Sequence, residues 1–535
     1  MTKEGQQSPK VFLRDATGLT RELSATDALV GNLAVMGIGF VFLYAFFASL
    51  LYPGVNLPLT VVIGLLPGIV IALVYYFFSV AMPRTGGDFV WVSRVLHPSL
   101  GFITNFYFTF TILTLTGSAA VFVASFGISP MLSALGLIYS NQNLITLAGK
   151  VASAPWDFVI AGVVLLVCII PQFFRAKVTY RTLIVIFAIV VIGSLVTIVS
   201  FYSASPSVFS ANFNRLSGMN YSNVITTAAL PSGFSVGVLF TGIVYTMLSY
   251  AGYNYSGYYS GEVRQVKRSQ LIAMFGSLFI FALFMFLLYE SAYYSMGSNF
   301  LSSLSYLAGT GSSSYTLPSA PVLNFLVMFS NPSPVVVFLS ALAFIGTCAA
   351  AIITATFISV RNFFAWSFDR VMPGWLTNVS SKRNSPFIAV SVALVCTIIF
   401  AALYVYTNFF SFITYSVATI YIAFGITSIA AIAFPFVKKS IFESSPVDVK
   451  RKIGGFPLIS ILGILGLIVC SFLIYASILP AVTPPPSGPA LIGLLAYVVV
   501  PLTGVVALAI YAVAYYYRKS KGINLAMVFS EIPPE

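Results

Sequence analysis

Charge is what this sequence has least of. Only 7% of its 535 residues are Asp, Glu, Lys or Arg, whereas soluble proteins carry about 25%. So few charges cannot coat a soluble surface of this size, which excludes a water-soluble multidomain enzyme, a disordered chain and a fibre. There is one histidine, His97, which argues against proton relays or haem ligation built on imidazole. Cys168, Cys348, Cys396 and Cys470 each sit inside an apolar run with no metal-type neighbour. They read as small packing residues, so no metal site and no disulfide framework is expected. No HExxH, Ser/His/Asp set or paired intramembrane carboxylates occur, and the string Gly309-Thr310-Gly311-Ser312 lacks the Lys-Ser/Thr of a phosphate loop. The chain is therefore not read as an enzyme, and no cofactor is expected. Its net charge of +13 is spread in short clusters between apolar runs, not along one basic face, so nucleic acid is not the partner.

Apolar length is what the chain has in place of charge. Hydrophobic residues make up 59% of it and the mean hydropathy is +0.98. A helix needs ~20 apolar residues to cross ~30 Å of hydrocarbon. Twelve such runs are present, at 27–51, 58–82, 100–126, 156–174, 180–202 and 235–260, then 270–295, 334–360, 386–408, 411–436, 456–480 and 489–517. These spans 1 to 12 are too long to be barrel strands. All but two of the 26 Lys and Arg residues fall in segments on one side; only Lys150 and Arg215 lie on the other. The positive-inside rule then puts both termini in the cytoplasm. The first 25 residues lack an apolar h-region, so span 1 is expected to act as its own signal. The outer loops 127–155, 203–234 and 296–333 are rich in Ser, Asn, Gly, Tyr and Pro and contain no Asp or Glu.

Two spans are interrupted. Span 1 reads Met36-Gly37-Ile38-Gly39-Phe40, and span 6 reads Ser249-Tyr250-Ala251-Gly252-Tyr253-Asn254. Glycines in mid-span permit the backbone to unwind, which frees N–H groups for a carboxylate at a half-helix N-terminus. Close packing by small residues is the alternative. Spans 1 and 6 open two five-helix halves, and Gly-interrupted spans at matching positions point to a transport site.

The run from Ser249 through Asn254 to Gly261-Glu262-Val263 resembles the sixth-helix signature of the amino acid–polyamine–organocation (APC) superfamily. The loop Pro83-Arg84-Thr85-Gly86-Gly87-Asp88-Phe89 is similar to that family's proline-arginine-x-glycine-glycine-acidic-aromatic pattern. Arg361, Asp369 and Pro373 after span 8 match a third. The resemblance covers residues 20–440 and implies an all-α membrane protein. It has inverted five-helix repeats with broken helices 1 and 6, plus two C-terminal helices, and works by alternating access. The chain then divides into a cytoplasmic segment 1–26, a first repeat 27–202, an outer loop 203–234, a second repeat 235–436, two added helices 437–517 and a cytoplasmic tail 518–535. By resemblance, amides of Gly37, Ile38 and Gly39 bind a substrate carboxylate, and carbonyls around Met36, Tyr250 and Ala251 take its ammonium group, with Gly252 in the same break. Phe40 and Val266 depart from the family pattern.

Asn254 is neutral where a carboxylate would suit a cation, and Gly252-Tyr253-Asn254-Tyr255 resembles the Gly-Trp-Asn-Tyr run of the large-neutral branch. The expected function is secondary transport of a neutral or apolar amino acid; an organic-amine (polyamine) permease and a non-transporting scaffold are the alternatives. Arg84, Asp88, Arg361 and Asp369 are expected to order an inner gate. Glu262 is either their partner, through Arg84 or Arg361, or a surface ion pair. Span 5 lacks the mid-span lysine that some proton-driven relatives use, and Thr347, Thr354 and Thr356 are the hydroxyls a sodium site would draw on. The acid-free outer loops point either to ordinary depletion of charge in such loops or to an acidic exterior and a coupling proton, with Glu290 as the proton-sensitive carboxyl on the expectation that it is partly buried; sodium coupling stays open beside it.

Overall fold

Backbone polar groups in hydrocarbon must pair within the chain, so long apolar runs cross as helices. The computed structural model describes residues 21–230, 233, 235–379, 385–407, 412–482, 495–523, 525 and 529. Among these, eleven helices are long and apolar enough to cross a membrane. A shorter apolar helix, Val236–Tyr250, stands at the place of span 6. The protein is an all-α polytopic membrane protein; a hairpin of two-residue strands, Lys452–Ile453 and Phe456–Pro457, is its small exception. Residues 1–20, the first part of span 12 at 489–494 and the end of the tail at 530–535 lie outside the described residues.

Local chemistry sets the helix starts. At the foot of span 1, Ser24 Oγ accepts the Asp27 N–H and Asp27 accepts the Ser24 N–H, a reciprocal cap that accounts for Asp27. Span 2, Leu57–Ala81, starts from Asn56, whose side chain accepts the Leu59 N–H, with Pro58 in the first turn. Span 3 starts at Pro98 behind a capping His97.

Three spans depart from the apolar count. The helix begun at Pro98 continues through a π-helical turn at Val123–Ile128 to Ile138. Span 8, Pro334–Phe368, runs past the expected residue 360. Its last turns carry Arg361, Asn362 and Ser367, all buried against protein, so polar residues there do not mark a membrane boundary. Span 6 is helical only to Tyr250, not to 260. Ala251 takes ψ 114° and the chain proceeds through short turns at Tyr255–Tyr258 and Ser260–Glu262 before span 7 begins at Val266. Loops 127–155, 203–234 and 296–333 also hold short helices, Gln142–Val151, Pro206–Ser217, Tyr221–Ala228, Ser298–Gly309 and Leu323–Ser330.

Burial ranks the spans. The central window of span 1 is 94% buried within protein, against 33% for spans 4 and 5 and 17% for span 12. Span 1 is therefore the axis of the bundle, and the others wrap it.

Candidate functional site

The axis is broken. Span 1 is helical over Ala25–Met36 and again over Phe40–Leu51. At the break Gly37 has φ 71°, a left-handed conformation that suits glycine. A Cβ there would lie 2.5 Å from the Phe40 ring, and one at Gly39 would lie 2.6 Å from Thr347 Oγ1 and 3.0 Å from the Ala343 carbonyl. The Gly37 N–H donates to the Leu33 carbonyl at 3.0 Å and the Gly39 N–H to Thr347 Oγ1 of span 8 at 3.0 Å. Of the three amides expected to face a carboxylate, the Ile38 N–H is the one that meets no acceptor among the described residues.

Span 6 breaks directly against this point. Gly252 has φ 138°, and a Cβ on it would strike Val35 and Met36 of span 1 at 2.7 and 2.9 Å. Irregular backbone at membrane depth is tolerated only where protein satisfies it. Here Asn32 does so: its amide donates to the Tyr253 carbonyl and its Oδ1 accepts the Ser256 N–H at 2.8 Å. Gln270 of span 7 completes the clamp, donating to the Ser256 carbonyl at 2.9 Å and accepting the Ser256 hydroxyl at 2.6 Å. Asn32 and Gln270 were not singled out from the sequence. An amide side chain in an otherwise apolar run was the signal that could have found them.

A cavity of about 60 Å³ lies between the two breaks. Phe40 and Tyr44 of span 1, Ile112, Thr116 and Phe122 of span 3, and Tyr255 line it, and none of the described residues lining it is charged. At ~10–15 Å³ per water-sized group, it holds about five such groups, the size of a small amino acid or part of a larger one. Met36 and Ala251 line it. Gly37, Ile38, Gly39, Tyr250, Gly252 and Asn254 surround the breaks without lining it in this conformation. Tyr250 instead donates its hydroxyl to the Val61 carbonyl at 2.9 Å. Asn254 is fully buried, and both polar atoms of its amide lack a partner among the described residues. An unpartnered buried amide costs about 1–3 kcal/mol, which is the mark of a group awaiting another hydrogen-bonding partner.

The basic-loop side of the cavity is sealed. Glu262 and Arg361 pair through two contacts, 2.8 and 3.1 Å, with both side chains buried, so Glu262 is not a solvated surface pair. The Arg361 guanidinium also lies 3.5 Å over the Phe357 ring. A second buried pair, Arg94 with Asp369 at 2.6 Å, joins loop 83–97 to the end of span 8; Arg94 had given no distinguishing sign in the sequence. Asp88 is fully buried and accepts from Tyr258 at 2.6 Å, Asn105 at 2.6 Å and Tyr75 at 3.4 Å. Burial pushes its carboxyl up to about 6, against those donors and the Phe89 N–H. Backbone bonds tie the same layer together: Leu23 N–H to the Glu262 carbonyl at 3.0 Å, Arg264 N–H to Leu23 at 2.9 Å and Gly86 N–H to Tyr258 at 2.9 Å. Arg84 bonds back to the Pro83 carbonyl at 3.0 Å, and its own carbonyl accepts the Ser260 hydroxyl.

Glu290 requires a correction. It is exposed on span 7, so the partial burial from which its proton sensitivity was expected is absent. Its helix turns Tyr289 and Ser291 inward and leaves position 290 facing out.

A family model described as amino acid permease matches residues 23–505. Among curated proteins, none matches the chain.

Proposed function

The chain belongs to the amino acid permease family, and from that premise we propose that it is a secondary transporter of neutral, apolar amino acids in the cell membrane. One observation carries the substrate class. The cavity between the broken spans is lined by apolar and aromatic groups with no charged side chain, which suits an aliphatic side chain and gives an organic cation no counter-charge. The backbone at Ile38 and the unpartnered Asn254 amide stand ready for the polar end of the substrate.

Transport is by alternating access between the halves 27–202 and 235–436, an inverted pair with both termini cytoplasmic. The breaks at Gly37 and Gly252 occupy matching places in those halves, and the basic loops share one face, which supports both points. A proton is the coupling ion. The outer loops 127–155, 203–234 and 296–333, which carry no Asp or Glu, support that reading. The test is uptake of a labelled panel into proteoliposomes, with the outer pH stepped from neutral to acidic, with and without sodium. Accumulation of aliphatic amino acids that rises with external acidity is expected. Flux of putrescine without any amino acid overturns the substrate class, and sodium dependence that ignores acidity overturns the coupling.

A further inference from the structure

A larger cavity lies away from the transport path, at the edge of the bundle on the basic-loop face. It has a volume of about 800 Å³ and sits between spans 2, 7 and 11. Leu73 and Phe77 of span 2, Leu271 of span 7 and Leu458 of span 11 wall it with hydrocarbon. Leu73 is two helical turns inside Ala81, the end of its span, so the cavity reaches about 12 Å into the bilayer. Its mouth is charged. Lys267 is held by Asp448 at 2.7 Å, which leaves Arg268 and Arg451 beside it. Both are exposed, and neither side chain has a partner among the described residues. A groove with two cations at the headgroup level and an apolar wall running down toward the acyl chains matches one class of molecule.

The adjoining hairpin supports the same occupant. Gly454 and Gly455, with φ 59° and 84°, make a tight turn between Ile453 and Phe456. The turn projects those two apolar side chains, 58% and 65% exposed, beside Lys450, Arg451 and Lys452. Exposed apolar residues flanked by cations at the end of a span insert at an anionic membrane surface. A free phosphate would have no use for the apolar wall or the hairpin tip.

We propose that this groove binds an anionic phospholipid of the adjacent leaflet, its phosphate between Arg268 and Arg451 and its acyl chains along Leu73, Phe77, Leu271 and Leu458. The site is independent of the substrate cavity, and its test does not depend on transport. The full chain is purified and titrated with dioleoyl phosphatidylglycerol or with phosphatidylcholine of the same chains, and retained lipid is counted by native mass spectrometry. One phosphatidylglycerol per chain is expected to survive where phosphatidylcholine does not. Arg268→Gln with Arg451→Gln should weaken retention about thirtyfold, two surface cations' worth. Arg268→Lys with Arg451→Lys should keep most of it, and Lys519→Gln with Lys521→Gln, on the same face, should leave it unchanged. Equal retention of the two lipids by the wild-type protein overturns the proposal, whether or not the glutamine variants fold. So does equal loss in the Lys519/Lys521 variant. Displacement of the lipid by glycerol 3-phosphate at the same concentration would make this a site for free phosphate and overturn the lipid assignment.

Discussion

Glu262→Gln tests whether the buried ion pair holds the basic-loop face shut. The substitution keeps the volume of the side chain and removes its charge, leaving the Arg361 guanidinium buried with the Phe357 ring as its neighbour. Breaking a buried pair from one side costs about 3–5 kcal/mol, because the remaining charge is desolvated without a partner. The cation–π contact recovers part of that, so the lower figure applies. When the face opens, both charges meet water and the penalty disappears. The substitution therefore raises the closed state alone. At about 1.4 kcal/mol per decade, ~3 kcal/mol shifts the opening equilibrium roughly a hundredfold. The readout is hydrogen exchange in peptides 21–30 and 255–264, whose N–H groups at Leu23 and Arg264 are bonded across this layer. Exchange there should speed up about a hundredfold, while the outer half of span 6 at Val236–Tyr250 is unchanged. Glu262→Gln combined with Arg361→Met removes both charges and should restore most of the protection. Protection within threefold of wild type in the single variant would refute the reasoning.

Three further outcomes are expected. Gly37→Leu or Gly39→Leu should weaken substrate binding roughly tenfold or more, because each Cβ would overlap Phe40 or Thr347 and overpacking costs ~1–3 kcal/mol; equilibrium binding to the folded, inserted protein checks it. Asn254→Asp should weaken neutral substrates and admit a cationic one, since its buried amide has no partner among the described residues; an unchanged selectivity across the uptake panel would place Asn254 outside the site. Asp88, with its carboxyl raised to about 6 by burial, binds its proton more tightly folded than unfolded. It therefore contributes stability that is complete below pH ~4 and lost as pH rises through ~6. Asp88→Asn should flatten that fall in the thermal midpoint between pH 4 and 7, and an unaltered pH profile would remove Asp88 from the account.

The spans were legible because twenty apolar residues in a row have few other places to go. What run length could not register is where a helix stops inside protein. Residues 251–262 of span 6 are as uncharged as a helix would be until Glu262, yet they unwind, because Asn32 and Gln270 supply the bonds the helix would have made. Span 8 continues past Arg361 for the converse reason: its polar end is packed against loop 83–97 and span 3. Glu262, Arg361 and Asp369 were visible as motif positions, but their pairings were not. Arg94 and Asp369 are 2.6 Å apart across half of the sequence, and nothing local distinguishes Arg94 from any other basic loop residue. Burial likewise decided Glu290 and Asp88 in opposite directions, one exposed on a helix face and the other enclosed by Tyr75, Asn105 and Tyr258.

The two faces of the cavity are closed by different forces. On the basic-loop side Arg361–Glu262, Arg94–Asp369 and the Asp88 network close it, with backbone bonds between them. On the other side the half-helices Phe40–Leu51 and Val236–Tyr250 meet through rings, Tyr44 tilted on Tyr245 and Phe47 stacked on Tyr245, and Phe40 packs edge to face on Phe344 of span 8. Aromatic packing is worth about 0.5–1.5 kcal/mol per pair beyond its burial and does not titrate in the range where carboxylates do. Ion pairs and buried carboxyls respond to pH and to the dielectric that opening brings. In the orientation proposed above, the face meeting the exterior is thus held by contacts indifferent to acidity, and its loops carry no carboxylate. Asp88, whose carboxyl is raised by burial, stands on the inner face. With the proton coupling proposed above, a fall in external pH would act through protons carried inward past the cavity, without loosening the outer closure.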